Sequence, residues 1–82
     1  MIIKVTKEDI KKGIKKVASL CPIALAVAKK GYNARVTYRY CYINHEPFKL
    51  CKDAIQFIEN FDFNKKIVKK NYYFRLHNCF LY

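Results

Sequence analysis

Two histidines, His45 and His77, and four cysteines at positions 21, 41, 51 and 79 are the side chains best suited to proton transfer, nucleophilic attack or soft-metal ligation near neutral pH. Their spacing supports none of these. The cysteines form no C-x-x-C pair, and the set Cys41, His45, Cys51, His77 and Cys79 matches no zinc-ligand spacing. Cys21 opens an apolar segment that reads as a helix, a place where a thiol pKa can fall, yet no histidine is near it in sequence to form a nucleophile–base pair. The six carboxylates are scattered without the pairing that general acid–base work needs, and Gly13 and Gly31 are too far apart for a phosphate-cradling loop. The sequence therefore points to no catalytic residue, no metal and no cofactor. The four cysteines could make two bridges in an oxidising compartment, but without a targeting segment they read as reduced thiols in a cytoplasm, three of them packed as small hydrophobes.

The basic residues carry more information. Seventeen Lys and Arg against six Asp and Glu give a net charge of +11, enough to steer the chain toward nucleic acid, an acidic protein surface or anionic lipid. The densest cluster is Lys11, Lys12, Lys15 and Lys16. It reads either as a solvated helix face or as a docking patch for phosphates or carboxylates. Arg35, Arg39 and Arg75 fall on segments with strand periodicity and are the other candidate contacts.

The element that must position these groups is the run SLCPIALAVAKKG, residues 19–31, uncharged until its last turn. It predicts a buried central helix with Ser19 as N-cap, Pro22 in the first turn, Gly31 as C-cap, and Lys29 and Lys30 at the negative end of the dipole. Before it, MIIKV reads as a strand, and Thr6 with Asp9 resembles a capping box opening a helix at Lys7 that Gly13 can end after two turns. The uncharged run at residues 17–28 is too short to span a bilayer and is not placed as a signal peptide.

Residues 32–43, YNARVTYRYCYI, read as one continuous strand in which Val36, Tyr38, Tyr40 and Tyr42 alternate with Arg35, Thr37, Arg39 and Cys41. The simplest assignment packs the tyrosines on the helices and leaves Arg35 and Arg39 on an open face. The opposite assignment exposes a row of tyrosines beside lysines, a stacking platform for unpaired bases. Asn44 and His45 suit a tight hairpin turn, and Pro47 in the returning strand suits a sheet edge. A third helix follows at about residues 51–60, with Cys51, Ala54, Ile55, Ile58 and Phe61 on its apolar stripe and Phe57 at the stripe's margin. The last strand runs over residues 67–77, and the apolar tail 78–82 would extend it. The expected fold is one α+β domain over residues 1–82. A mostly antiparallel sheet of three or four strands, in the order β-α-α-β-β-α-β, carries helices on one face and Arg35, Arg39 and Arg75 on the other.

Ile3-Lys4-Val5-Thr6, then Ile10 and Gly13, the block Cys21-Pro22-Ile23-Ala24-Leu25-Ala26, Phe57-Ile58, Phe61-Asp62 and Tyr73-Phe74-Arg75-Leu76 together resemble a group of small proteins encoded by phages and prophages. The resemblance covers about residues 2–76, with CPIALA its most specific part. The chain departs from the group in its basicity, its tyrosine-rich middle and its tail. The resemblance assigns no site residues; it implies a setting in the host cytoplasm and a mode of action, accessory phage proteins of this size often binding a host machine. On that footing the expected function is a non-enzymatic inhibitor of a host defence ribonucleoprotein nuclease, of the anti-CRISPR type. It would contact guide RNA or an acidic protein surface through Lys11, Lys12, Lys15, Lys16, Arg35, Arg39 and Arg75, with exposed tyrosines as desolvated contacts. The alternative is a free-standing RNA- or DNA-binding domain using the same residues.

Overall fold

A computed structural model of the chain describes residues 1–78. Ile2–Val5 forms β1, and its alternation puts Ile3 and Val5 fully inside. Thr6 then caps α1, Lys7–Lys12, in a reciprocal capping box: Thr6 Oγ1 accepts from the Asp9 N–H at 3.2 Å, while Asp9 Oδ2 accepts from the Thr6 N–H at 2.9 Å. Gly13 ends the helix with extended backbone, and a Cβ there would stand 2.7 Å from the Pro22 ring, so the first two helices meet at a point that only a glycine fits.

The central helix is shorter than its apolar run. It is α2, Pro22–Ala28, with Cys21 rather than Ser19 at the N-cap. Residues before it are drawn into a turn in which Leu20 N–H donates to Val17 O and Ile14 N–H to Leu20 O. Pro22 sits at the first helical position, where it lacks nothing the helix needs. At the other end Lys29 is the C-cap, and tighter bonds carry the chain on to Gly31, whose φ of 91° turns it away.

The predicted middle strand is in fact a hairpin. Ala34–Val36 is β2, Tyr40–Ile43 is β3, and the chain reverses over Tyr38 and Arg39, closed by Thr37 N–H donating to Tyr40 O at 2.8 Å. This makes five strands where three or four were expected. Glu46–Leu50 is β4, Lys52–Asp62 is α3 and Tyr72–Asn78 is β5. All neighbours pair antiparallel in the order β1-β5-β4-β3-β2.

Asn44 and His45 make the β3–β4 turn with φ of 50° and 73°, the left-handed geometry of a two-residue hairpin loop. β4 is an interior strand, so Pro47 is not at an edge. It is tolerated because the closing Ile43–Glu46 pair makes Tyr42–Pro47 a non-hydrogen-bonded pair. The proline nitrogen then faces the β5 side, one residue past the last described partner pair, Phe48–Asn78.

The helices cover one face. Ile23, Ala24, Ala26 and Val27 of α2 meet Ile3, Val5, Val36, Cys41, Ile43, Phe48, Leu50, Phe74 and Leu76 of the sheet. From α3 the buried side chains are Ala54, Phe57 and Phe61. Phe57 is at the centre of that stripe, its ring 5.0 Å from Tyr72 and 5.4 Å from Phe74, while Ile55 and Ile58 are only half-buried.

Candidate nucleic-acid interface

The face of the sheet opposite the helices follows from strand register. Residues directly opposite in a ladder share a face. Ile2 pairs with Arg75 and Lys4 with Tyr73; Lys49 lies between His77 and Tyr40; Tyr42 lies between Pro47 and Arg35. Each alternates with a buried neighbour, so all these side chains point away from the core. Among the described residues, the strand side chains on this face include three tyrosines and the cations Lys4, Arg35, Lys49 and Arg75, and none is acidic.

The tyrosines are available for contact: Tyr73 is 65% exposed, Tyr40 37% and Tyr42 36%. Their placement reverses the simplest sequence assignment. In a continuous strand Val36 would share a face with Tyr40 and Tyr42. In the hairpin Val36 pairs with Cys41 and Arg35 with Tyr42, so the core takes Val36, Cys41 and Ile43 and the open face takes Arg35 with both tyrosines. The rings of Tyr40 and Tyr42 lie 6.4 Å apart and tilted by 43°, two adjacent aromatic surfaces on one strand. From Tyr42 through Tyr40, Lys49 and Arg75 to Tyr73 the register steps diagonally across three strands. At strand spacings this is about 10 Å across and about 20 Å along.

The seven cations singled out in the sequence are divided by the fold. Arg35 and Arg75 lie on the open face. Arg39 does not: it is in the β2–β3 turn, with its guanidinium 6.0 Å from the Tyr38 ring, and Tyr38 itself reaches the helical layer, donating to Glu59 of α3 at 2.9 Å. That bond to a carboxylate holds the Tyr38 phenol above its ordinary pKa.

The four lysines belong to the helical layer. Lys11 and Lys12 occupy the last turn of α1, and Lys12 pairs with Glu8 one turn back at 2.6 Å, which lowers the Glu8 pKa and raises that of Lys12. Lys15 donates to the Asn64 side chain with its ammonium 5.9 Å from the Phe61 ring. The Lys16 backbone N–H donates to Asp62 at 3.0 Å, and its ammonium stands 5.0 Å from the Phe63 ring. These contacts tie the α1–α2 connection to the end of α3. Lys4, Lys49 and Tyr73 are not among the contacts expected from the sequence, and their signal is the alternation of β1, β4 and β5; Tyr40 and Tyr42 enter only in the opposite assignment of the middle strand, because the unseen turn conceals the parity of β3.

Among the described residues the buried thiols of Cys21 and Cys41 are held in their neutral form rather than activated. Cys21, Cys41 and Cys51 are free, the first two buried. Burial pushes the Cys41 thiol up to about 12 and raises Cys21 as well, outweighing the helix N–H groups of Ala24 and Ile23 that act to lower it. Cys21 at the helix start is thus the reverse of an activated nucleophile. Among the described residues no three His, Cys, Asp or Glu side chains gather as a metal site, and no helix is long and apolar enough to cross a membrane. Cys79, and the expected extension of the last strand over residues 79–82, lie outside the described residues.

Searches against protein-family models, curated proteins and solved structures find no match for this chain.

Proposed function

We propose that the chain is a non-catalytic binding protein for single-stranded nucleic acid, and that the strand lies diagonally on the open sheet face. The observation that carries this reading is the coincidence, on one face whose described strand residues include no acid, of Tyr40, Tyr42 and Tyr73 with Lys4, Arg35, Lys49 and Arg75. Aromatic faces stack on splayed bases and the cations between them follow the phosphates, the combination that single-strand binders use. A duplex hides its base faces and offers no such fit.

Fluorescence anisotropy with a labelled uridine octamer tests it. Stacking on an aromatic side chain is worth about 1 to 3 kcal/mol per base. Tyr40→Ala, Tyr42→Ala and Tyr73→Ala should therefore each weaken binding by roughly five-fold or more, with thermal unfolding least changed in Tyr73→Ala, the most exposed of the three. A duplex of the same length should bind more weakly than the single strand. Tyrosine variants that bind as wild type, or a preference for duplex, would falsify the proposal.

A second reading adds a protein partner, as for an inhibitor of a phage-targeting ribonucleoprotein of the CRISPR type. Its support is a separate exposed patch on the helical layer, where Ile14, Leu20 and Phe63 stand 49%, 41% and 61% exposed near Lys15 and Lys16. In this reading the sheet face holds the guide RNA and the patch touches the protein. Capture from host lysate that survives RNase and is lost in Phe63→Ala supports it; capture abolished by RNase leaves the nucleic-acid reading alone.

A further inference from the structure

At the β2 end of the open face the surface dips into a concavity of about 470 Å³, lined by Asn33, Ala34, Arg35, Thr37, Tyr42 and His45. This is within the size range of small-molecule sites. We infer that it is a single-nucleotide subsite, in which a base stacks on Tyr42 with its hydrogen-bonding edge toward Asn33, Thr37 and His45 and its phosphate on Arg35. The inference rests on the sheet-face reading and names the place on that face where base identity is read.

Three observations converge on it. Arg35 and Tyr42 are direct partners in the β2–β3 ladder, so a cation and an aromatic face are held side by side at the mouth. Hydrogen bonds hold Thr37 and the Asn33 backbone in place beside them. The Thr37 hydroxyl donates to Tyr40 O at 3.2 Å, which leaves its lone pairs to accept. The Asn33 backbone is bound in both directions to Asn44, its N–H to the Asn44 side-chain oxygen at 3.0 Å and its C=O to the Asn44 N–H at 2.9 Å, which sets where Asn33 meets the concavity. The third observation is His45 itself. It holds φ of 73° in the second position of a two-residue turn, where glycine is the residue without strain. The strained choice puts an imidazole into the lining. A cation, an aromatic face, donors and acceptors, and no lining carboxylate make a set suited to an anionic planar ligand and poorly suited to a sugar or a metal.

The test uses the full chain and four RNA octamers, all uridine or with one central A, C or G. Wild type should prefer one of the four by about ten-fold, within the range that good hydrogen-bonded base contacts supply. His45→Gly and Asn33→Ala should bind all four alike, and His45→Gly should unfold no earlier than wild type because it relieves the turn. Equal affinity of wild type for all four, or unchanged discrimination in both variants, overturns the subsite even if the octamers bind. If wild type binds no octamer, the sheet-face reading has failed and the concavity is tested alone by nuclear magnetic resonance titration with the four nucleoside monophosphates. Shifts confined to Asn33, Arg35, Thr37, Tyr42 and His45 uphold it; their absence overturns it.

Discussion

Asp9 is the one buried charged residue among those described, 5% exposed, and its carboxylate ties three elements of the fold together. It accepts from the Thr6 N–H at the end of β1, and from Lys29 at the end of α2 at 2.8 Å, while its own N–H is held by Thr6 Oγ1 at the start of α1. Removing a cap costs about 1 kcal/mol, and Lys29 is half-exposed and can return to water, so the loss of the ion pair adds little. Asp9→Ala should lose roughly 1 to 2 kcal/mol, read by calorimetry as a fall in Tm of about 4 to 16 °C for a domain of this size. A fall of under a degree would mean that the box holds nothing. Cys41 makes a different prediction, in pH. Its thiol stays protonated in the native state up to about 12, whereas an unfolded thiol ionises near 8.5 to 9. Its contribution is complete below that lower value and is lost as pH rises toward 12, because only the unfolded chain gains by releasing the proton. Urea midpoints measured between pH 7 and 11 should fall less steeply for Cys41→Ala than for wild type, although the variant starts lower because of its cavity. Parallel slopes would remove Cys41 from the alkaline limb.

The elements that were legible in the sequence are those whose ends carry their own chemistry. Thr6 and Asp9 mark α1 and Asn44-His45 mark the β3–β4 hairpin, because caps and turns act through neighbours in sequence, whereas Ser19 reads as the N-cap of α2 two residues before the observed Cys21. What could not be read was the turn at Tyr38 and Arg39, which contains no Gly, Asn, Asp or Pro and interrupts an unbroken run of strand-forming residues. Nothing local marks it; it forms because Cys41, Ile43 and Val36 all gain burial when the chain doubles back. Without that turn the simplest assignment packs Tyr40 and Tyr42 in the core; with it they join Arg35 on the open face. Phe57 was misplaced for a similar reason, its burial being set by Tyr72 and Phe74 on a strand fifteen residues and more away. The contact of Gly13 with Pro22 was equally hidden, since a glycine after a helix reads as a flexible stop. Its backbone is ordinary, φ −61°, so only space requires it. A Cβ would lie 2.7 and 2.8 Å from the proline ring and 3.0 Å from Asp9 O, and Gly13→Ala should lose about 1 to 3 kcal/mol in denaturant unfolding, the range for overpacking. A stability gain, the usual result of replacing glycine where there is room, would show that the two helices separate easily.

For the molecule as a whole the question is what +11 is used for, since that much like charge in 82 residues disfavours compactness. The fold splits it between two layers. On the helical side the lysines are partly spent on the protein: Lys12 on Glu8, Lys29 on Asp9, Lys15 and Lys16 on the end of α3. On the sheet side Lys4, Arg35, Lys49 and Arg75 lie in a field with no acidic strand residue facing them among the described residues. If these four are the phosphate contacts, counterion release fixes the salt dependence. A slope of about −0.7 per contact for a single strand gives roughly −3 in a plot of log affinity against log salt concentration. The double variant Lys49→Ala with Arg75→Ala should then halve the slope and weaken binding at every salt concentration. Lys11→Ala with Lys12→Ala should leave the slope within its error, although it removes the same amount of charge. The contrast separates a located surface from a general attraction, because a strand held only by net charge would respond equally to both pairs. Equal slopes in the two double variants would therefore count against the sheet face as the site, and a slope lost only with Lys11 and Lys12 would return it to the helical layer.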